Sequence, residues 1–249
     1  MRTLGLIGGM SWESTQSYYA LINQGVRASL GGLHSAEIIL HSVDFGPIEA
    51  MQANGEWKRA GARLAGIGRR LEMAGADALI LCTNTMHKVA GPIEQATSVP
   101  FLHISGITRE AIKSAGYHRV ALLGTRYAME ESFLTDRLAD DTIRVDVPES
   151  ADREVIDRVI FDELCQGVVN AESRRRFEAI IAGLVDQGAE AVILGCTEIG
   201  LLVNAGISPV PLLDTTRLHA DAAVAFALGD QSEPMRRRCT DPAGGYRDR

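Results

Sequence analysis

The fold of the chain is decided by the stretch Gly188-Ala-Glu-Ala-Val-Ile-Leu-Gly-Cys-Thr-Glu198. A near copy, Gly75-Ala-Asp-Ala-Leu-Ile-Leu-Cys-Thr-Asn-Thr85, aligns with it without a gap at an offset of 113 residues. Each copy has small residues, then a short apolar run, then a polar cluster, which is typical of a buried parallel strand that ends in a loop. Because ligands of open α/β sheets bind outside the carboxyl ends of the strands, both polar clusters are candidate binding segments.

Two further blocks recur in the same order along the chain. The apolar run at residues 4–10 resembles residues 119–125, and residues 99–103 are repeated at residues 210–214. Three matched blocks with helices between them indicate a duplicated unit, and right-handed crossovers then give each unit a parallel sheet covered on both faces. We therefore predict an α/β fold of two pseudo-symmetric doubly wound lobes. Each lobe contains a parallel sheet of about four strands, and the active site lies in the cleft between the lobes.

The lobes are expected to have unequal shares of the chain. Residues 1–103 and 212–228 are assigned to the first lobe, residues 104–211 to the second, and residues 229–249 to a flexible tail. Within the lobes, Ser11 is the predicted N-cap of a helix that runs to about Leu30. Residues 44–47 predict a turn, and a single helix is expected from about Tyr127 to Leu138.

Composition limits the class of protein. The 249 residues are 46% hydrophobic and 23% charged, which is ordinary for a globular protein, and the net charge of −7 argues against a nucleic-acid partner. The four cysteines form no C-x-x-C pair and no zinc-ligand spacing, so no metal is expected. The start has no secretory pattern, and no apolar run approaches the roughly 20 residues that span a bilayer. We expect a cytoplasmic protein with reduced thiols and no membrane association.

Cys196 is the strongest candidate for chemistry. It follows a predicted strand and precedes a helical turn, where backbone N–H groups would lower the thiol pKa and produce a thiolate. A buried structural cysteine is the alternative, because free cysteines are among the most buried residues. Strand alternation directs Cys82 towards the core. Cys165 on a helix and Cys239 in the tail are interpreted as structural or incidental.

Hydroxyl and amide groups cluster at the other predicted strand ends. Asn84, Thr85, Thr125 and Thr197 combine such side chains with adjacent backbone N–H groups, a combination that binds a carboxylate. Any one of them alone is more often a helix cap. His87 lies three residues beyond Asn84, where a core or capping histidine is as plausible as a functional one.

With these motifs the chain resembles the aspartate/glutamate racemase family of cofactor-independent amino-acid racemases. The resemblance covers about residues 1–228 and rests on residues 8–11, 84–87, 123–125 and 195–198. The longer segments 8–15, 81–88 and 124–127 resemble its broad-specificity amino-acid racemase branch. The resemblance implies that an amino acid lies between one thiol from each lobe. One thiolate then removes the α-proton from one face, and the other thiol delivers a proton to the opposite face.

The chain departs from the family pattern at two places. The family's first-lobe cysteine directly precedes the Asn-Thr pair, and this position holds Thr83. A Thr hydroxyl is a poor base because its alkoxide is too costly at neutral pH, although it can donate a proton or relay one through water. Acidic-specific members hold the distal carboxylate with an Arg and a Lys. Here no Arg lies near residues 44–52, Cys165 occupies the Lys position, and Gln52 is a candidate contact for the substrate side chain.

The resemblance implies a catalytic pair, Thr83 and Cys196, and a set of substrate-binding residues. This set contains Met10 and Ser11 at the turn over the ligand, Gln52, Asn84, Thr85, Met86, Thr125, Thr197, and Glu198 as the group that orients the ammonium. The resemblance also implies a homodimer and no cofactor, with an amino acid as the small-molecule partner. Two alternatives stay open: a one-thiol decarboxylase or isomerase on the same scaffold, and a non-catalytic amino-acid-binding relative.

Overall fold

Strands and helices alternate along almost the whole chain. The computed structural model describes residues 1–204 and 206–229. The first half contains β1 (Leu4–Gly8), α1 (Trp12–Leu30), β2 (Ile38–Ser42), α2 (Phe45–Ala53), α3 (Trp57–Met73), β3 (Ala78–Leu81), a 3₁₀ turn (Thr85–Val89), α4 (Ala90–Ala96) and β4 (Phe101–Leu102). The second half contains α5 (Ile104–Ala115), β5 (Arg119–Leu123), α6 (Arg126–Glu130), α7 (Ser132–Leu138), β6 (Arg144–Asp146), α8 (Ser150–Asp162), a 3₁₀ turn (Leu164–Gln166), α9 (Ala171–Asp186), β7 (Ala191–Leu194), α10 (Ile199–Leu202), β8 (Leu212–Asp214) and α11 (Thr215–Leu228).

These strands form two parallel four-stranded sheets with the same connectivity. The order is β2-β1-β3-β4 in the first sheet and β6-β5-β7-β8 in the second, and every pairing between strands is parallel. The predicted α/β fold with two sheets of about four strands is therefore confirmed. The two central strands of each sheet are almost entirely buried. Such burial is typical of a parallel sheet that helices cover on both faces.

The repeat seen in the sequence extends to individual backbone hydrogen bonds. The N–H of Leu79 donates to Pro100 O at 2.8 Å, and the equivalent N–H of Val192 donates to Pro211 O at 2.9 Å. The strand ends are also held alike: the Cys82 N–H donates to Ile7 O near the end of β1, and the Gly195 N–H donates to Leu123 O at the end of β5. The polar clusters after β3 and β7 therefore leave their sheets at equivalent positions.

Helix α11 connects the two halves of the molecule. It packs against α1, where Tyr18, Ile22 and Val26 are fully buried and recur at helical spacing. Burial of each such side chain contributes about 1.5–3 kcal/mol. On the α11 side, Ala223 and Val224 complete this apolar cluster over the first sheet.

The structure differs from the expected division of the chain at residues 212–214. Strand β8 pairs with β7 in the second sheet, because the block repeated from residues 99–103 has the same sheet position as β4. Within residues 212–228, the part that packs on the first lobe is α11. The remaining lobe boundaries stay a prediction. The expected flexible tail lies outside the described residues apart from Gly229, whose N–H closes the last turn of α11.

Two local predictions were wrong. Residues 44–47 do not form a turn: Asp44 caps α2 by accepting from the Gly46 N–H, and Pro47 lies in the first turn of this helix, where a missing N–H costs nothing. The single helix expected from residue 127 to 138 is interrupted at Glu131, whose extended backbone separates α6 from α7.

Candidate functional site

The turn after β1 places Met10 and Ser11 beside the sheet ends. Gly9 has φ +93°, and a Cβ at this position would collide with the backbone of Val43. Ser11 then caps α1, accepting from the Ser14 N–H at 3.1 Å as its position in the sequence predicted. This close turn brings the start of α1 next to the opposite lobe.

One cleft between the lobes contains almost all of the predicted site residues. Strand β3 leads into Thr83 and the following residues, and strand β7 leads into Cys196 and the following residues. The cleft is lined by Met10, Ser11, Ser14, Phe45, Gln52, Thr83, Asn84, Thr85, Thr125, Tyr127, Ile160, Phe161, Cys165, Gly195, Cys196, Thr197 and Glu198. Only Met86 of the predicted set is missing from this lining.

Met86 lies under the cleft instead. Its side chain is fully buried in the apolar cluster of the first lobe, because the 3₁₀ turn rotates it inwards. The Gln52 amide donates to its sulfur at 2.7 Å. Met86 therefore supports Gln52, which itself faces the cleft.

Hydroxyl groups connect the two lobes across the cleft. The Ser14 and Thr197 hydroxyls are 2.8 Å apart, and those of Thr85 and Thr125 are 3.3 Å apart. Such paired hydroxyls can redirect their protons towards a ligand oxygen without a change in backbone position. They form a set of neutral donors that both lobes provide.

Glu198 is at the centre of this arrangement. It accepts from the Ser11 hydroxyl at 3.1 Å through one oxygen and from the Cys196 thiol at 2.9 Å through the other. The residue before Cys196, Gly195, packs closely on β5, since a Cβ there would lie 2.8 Å from the Leu122 side chain. Cys196 is thus bonded to a carboxylate that also contacts the opposite lobe.

The expected resting thiolate at Cys196 was wrong. Burial and, after it, the negative charge of Glu198 raise the pKa of the Cys196 thiol well above its usual value. The Glu198 backbone N–H acts in the predicted direction and lowers this pKa, but its effect is smaller than those of burial and charge. In the unliganded protein Cys196 is therefore a neutral thiol at pH 7.

Thr83 is held through its backbone by a buried histidine. The His87 Nδ1–H donates to Thr83 O at 2.7 Å, and His87 Nε2 accepts from the Ile104 N–H at 3.3 Å. Burial lowers the pKa of His87 well below its usual value, so the ring stays neutral and keeps one donor and one acceptor. His87 thus positions the loop that carries Thr83 but does not line the cleft.

Asn84 is fixed by its amide group. Its Nδ2 donates to Thr215 Oγ1 at 3.1 Å, and the Thr215 hydroxyl donates to Leu194 O at 2.8 Å. The amide oxygen Oδ1 is buried and has no hydrogen-bond partner in the part of the chain that the structure describes. Asn84 therefore links the end of β3 to the end of β7.

Sequence reasoning missed one wall of the cleft. This wall is mainly apolar and is made by Phe45, Tyr127, Ile160, Phe161 and Cys165. Phe45 begins α2 and Tyr127 lies on α6, whereas Ile160, Phe161 and Cys165 reach the cleft through the end of α8 and its following turn. Ser14 was missed as well, although its place one turn beyond the capping Ser11 was an available signal.

The effect of Glu198 on Cys196 gives a testable prediction. Glu198→Gln removes the charge that disfavours the thiolate, so the pKa of Cys196 should fall and its alkylation should accelerate at pH 7–8. The rate is measured for the Cys196 peptide by mass spectrometry after iodoacetamide pulses across a pH series. Alkylation of glutathione added to the same samples serves as the reference, because the charge of Glu198 also raises the pKa of Cys165. An unchanged pH profile at Cys196 would show that Glu198 does not control this thiol.

Two further features concern residues 1–204 and 206–229. Within this range no helix has the length and apolar character needed to cross a membrane. In the same range no three or more His, Cys, Asp or Glu side chains are grouped so as to hold a metal ion.

Comparison with known proteins agrees with the fold. A model of the Asp/Glu/Hydantoin racemase family matches residues 7–223, and the chain belongs to this family. A crystal structure of a candidate Asp/Glu racemase from Yersinia pestis is 51% identical, with a TM-score of 0.88, and the match covers 92% of this chain and all of that one. An aspartate racemase homologue from Pyrococcus horikoshii is 30% identical with a TM-score of 0.82, over 92% of this chain and all of that one.

More distant relatives are similar over smaller parts. The broad specificity amino-acid racemase RacX of Bacillus subtilis is 25% identical over 168 residues, which is 66% of this chain and 70% of RacX. Glutamate racemase from Francisella tularensis, solved with D-glutamate, is 14% identical with a TM-score of 0.59, over 92% of this chain and 82% of that one. At this identity the likeness concerns the fold alone.

Proposed function

We propose that the protein is a pyridoxal-independent amino-acid racemase. The observation that carries this proposal is the single cleft in which the ends of β3 and β7 present Thr83 and Cys196 from different lobes. Inversion of a stereocentre by proton transfer requires an acid and a base on opposite faces, and two related lobes supply such a pair.

The neutral donors of the cleft suit the α-carboxylate of the substrate. Asn84, Thr85, Thr125 and Thr197 line one region and supply amide and hydroxyl groups from both lobes. Without a cofactor, the carbanion must be stabilised as an enediolate, and preorganised donors at its oxygens provide this stabilisation. The α-ammonium then lies at Glu198, the carboxylate of the cleft.

Substrate binding would also activate the thiol. The α-ammonium adds a positive charge beside Glu198, and this charge offsets the field that raises the pKa of Cys196. The Cys196 thiolate then removes the α-proton from its face of the amino acid. On the other face, a water relayed through the Thr83 hydroxyl donates the proton that completes the inversion, and the hydroxide formed takes up the proton that the Cys196 thiol gave to solvent when it became a thiolate.

The proposal is tested by incubation of the purified protein with single enantiomers in heavy water. A racemase incorporates deuterium at the α-carbon and forms the opposite enantiomer, as followed by mass spectrometry and chiral chromatography. A one-thiol decarboxylase instead releases carbon dioxide from substituted malonates. A non-catalytic binder shows a thermal shift with amino acids and no exchange.

A homodimer and a cytoplasmic location stay predictions. Exposed apolar side chains on α1 and β2, namely Trp12, Tyr19 and Leu40, support the first of them. Analytical ultracentrifugation at micromolar concentration should give a mass of about twice 26.8 kDa. A monomer under these conditions would contradict the expected dimer.

A further inference from the structure

The cleft lacks any positive charge. Of its lining residues, none is Lys, Arg or His within the ranges that the structure describes, and Glu198 is the one charged side chain. The α-carboxylate of the substrate would be bound by neutral groups alone. Its α-ammonium would be bound by Glu198. A second carboxylate on the substrate would therefore be buried beside an existing negative charge without a cation, an arrangement that is strongly unfavourable.

Two cations that lie close in sequence to cleft residues, Arg126 and Lys88, are paired with carboxylates. Arg126 follows Thr125 at the cleft, but its guanidinium bonds to Glu130 at 3.4 Å. Lys88 forms an ion pair with Glu131 and lies 3.8 Å from the centroid of the Trp57 ring. A side-chain carboxylate would have to break these pairs to recruit either cation.

The electrostatic potential around Cys165 is negative, as it is around Glu198. Burial, and then the negative charges of Glu198 and Glu13, raise the pKa of Cys165 to about 12, so this thiol is neutral at pH 7. Cys165 packs on the apolar cluster that contains Ile160, and Phe161 and Phe45 line the same cleft. This region is negative in potential and apolar in its surface.

On the basis of the proposed racemase function, we infer that the substrates are amino acids with neutral, mainly apolar side chains. The apolar wall near Cys165 receives the side chain, and Gln52 provides an amide at its end. Acidic amino acids are excluded by the missing cation. The negative charges of Glu198 and Glu13 would attract a basic amino acid. Its side-chain ammonium would however lose its water of hydration against Phe45 and Phe161, which is unfavourable.

The inference is tested with four substrates of similar length that differ in polarity or charge. Initial rates of α-deuteration are measured for methionine, glutamine, glutamate and, as the cationic comparison, lysine, each as both pure enantiomers. We expect kcat/KM for methionine to exceed that for glutamate at least tenfold, with glutamine between them and lysine below methionine. Faster exchange of glutamate or of lysine than of methionine would overturn the inference and leave the racemase function standing. No exchange with any amino acid would overturn the proposed function and the inference together.

A pair of variants tests the charge argument at residue 165. Cys165→Lys places a cation on the apolar wall, and the ratio of glutamate to methionine kcat/KM should rise at least tenfold. Cys165→Ser is the matched control, since it changes the polarity without adding charge, and this ratio should stay low. Circular dichroism checks that both variants fold. A ratio that stays low in Cys165→Lys would show that the missing charge does not exclude acidic substrates, and would overturn the inference.

Discussion

Cys196→Ser is expected to abolish racemisation while the fold stays intact. The hydroxyl is slightly smaller than the thiol and can still donate to Glu198, but it cannot form a usable base at neutral pH. General acid–base catalysis contributes about 10²–10⁴-fold, so the exchange of the α-hydrogen that faces residue 196 should fall by this factor or more. The measurement is α-deuteration from each pure enantiomer in wild type and variant.

Two controls separate the chemistry of Cys196 from its packing. Circular dichroism and thermal unfolding should show a folded variant, because the side chain is only partly buried and packs at the margin of the apolar cluster of the second lobe. A thermal shift with substrate should persist, since Ser11, Thr197 and Glu198 are untouched. Activity within a few-fold of wild type would rule out Cys196 as the essential acid or base.

The fold could be predicted because its internal repeat is visible in short stretches of the sequence. The apolar runs before Thr83 and Cys196 are short, continuous and followed by polar residues, and such a pattern has few interpretations other than a buried parallel strand. The recurrence of the neighbouring blocks in the same order then predicted two similar parallel sheets. The same argument placed the ends of β3 and β7 at one cleft.

The state of Cys196 could not be predicted in this way. The backbone N–H of Glu198 does lower its pKa, as its position before a helical turn suggested. The competing effects are burial and the charge of the Glu198 side chain, and both depend on how the two lobes close over β7. Ser11 of the first lobe bonds the same carboxylate, a contact between residues 187 positions apart.

Side-chain direction limited the prediction of Met86 and of the apolar wall. Met86 directly follows two cleft residues, but the 3₁₀ turn at Thr85–Val89 directs it into the core. Ile160, Phe161 and Cys165 reach the cleft because α8 ends at Asp162 and a second 3₁₀ turn follows. Helix ends and short 3₁₀ turns are decided by tertiary packing, so sequence periodicity gives little information about them.

The second large effect is expected from Thr83→Cys. If Thr83 and Cys196 lie on opposite faces of one bound amino acid, a thiol at position 83 restores a symmetrical pair of acid and base. A thiol can act as the base on its own face, where the hydroxyl cannot. Exchange of the enantiomer whose α-hydrogen faces residue 83 should rise by about 10²-fold. In the wild type, Cys196 should exchange the other enantiomer faster.

Thr83→Ser is the matched control for this substitution. It keeps a hydroxyl and the backbone contact of residue 83 with His87. The difference in α-hydrogen exchange rate between the two enantiomers should therefore persist. Deuterium exchange from each pure enantiomer is measured in wild type, Thr83→Cys and Thr83→Ser under one set of conditions. Equal exchange of both enantiomers in the wild type, unchanged by Thr83→Cys, would show that residue 83 does not limit the second face. A bound water or another lining residue, such as Ser14, would then have to supply the proton on that face.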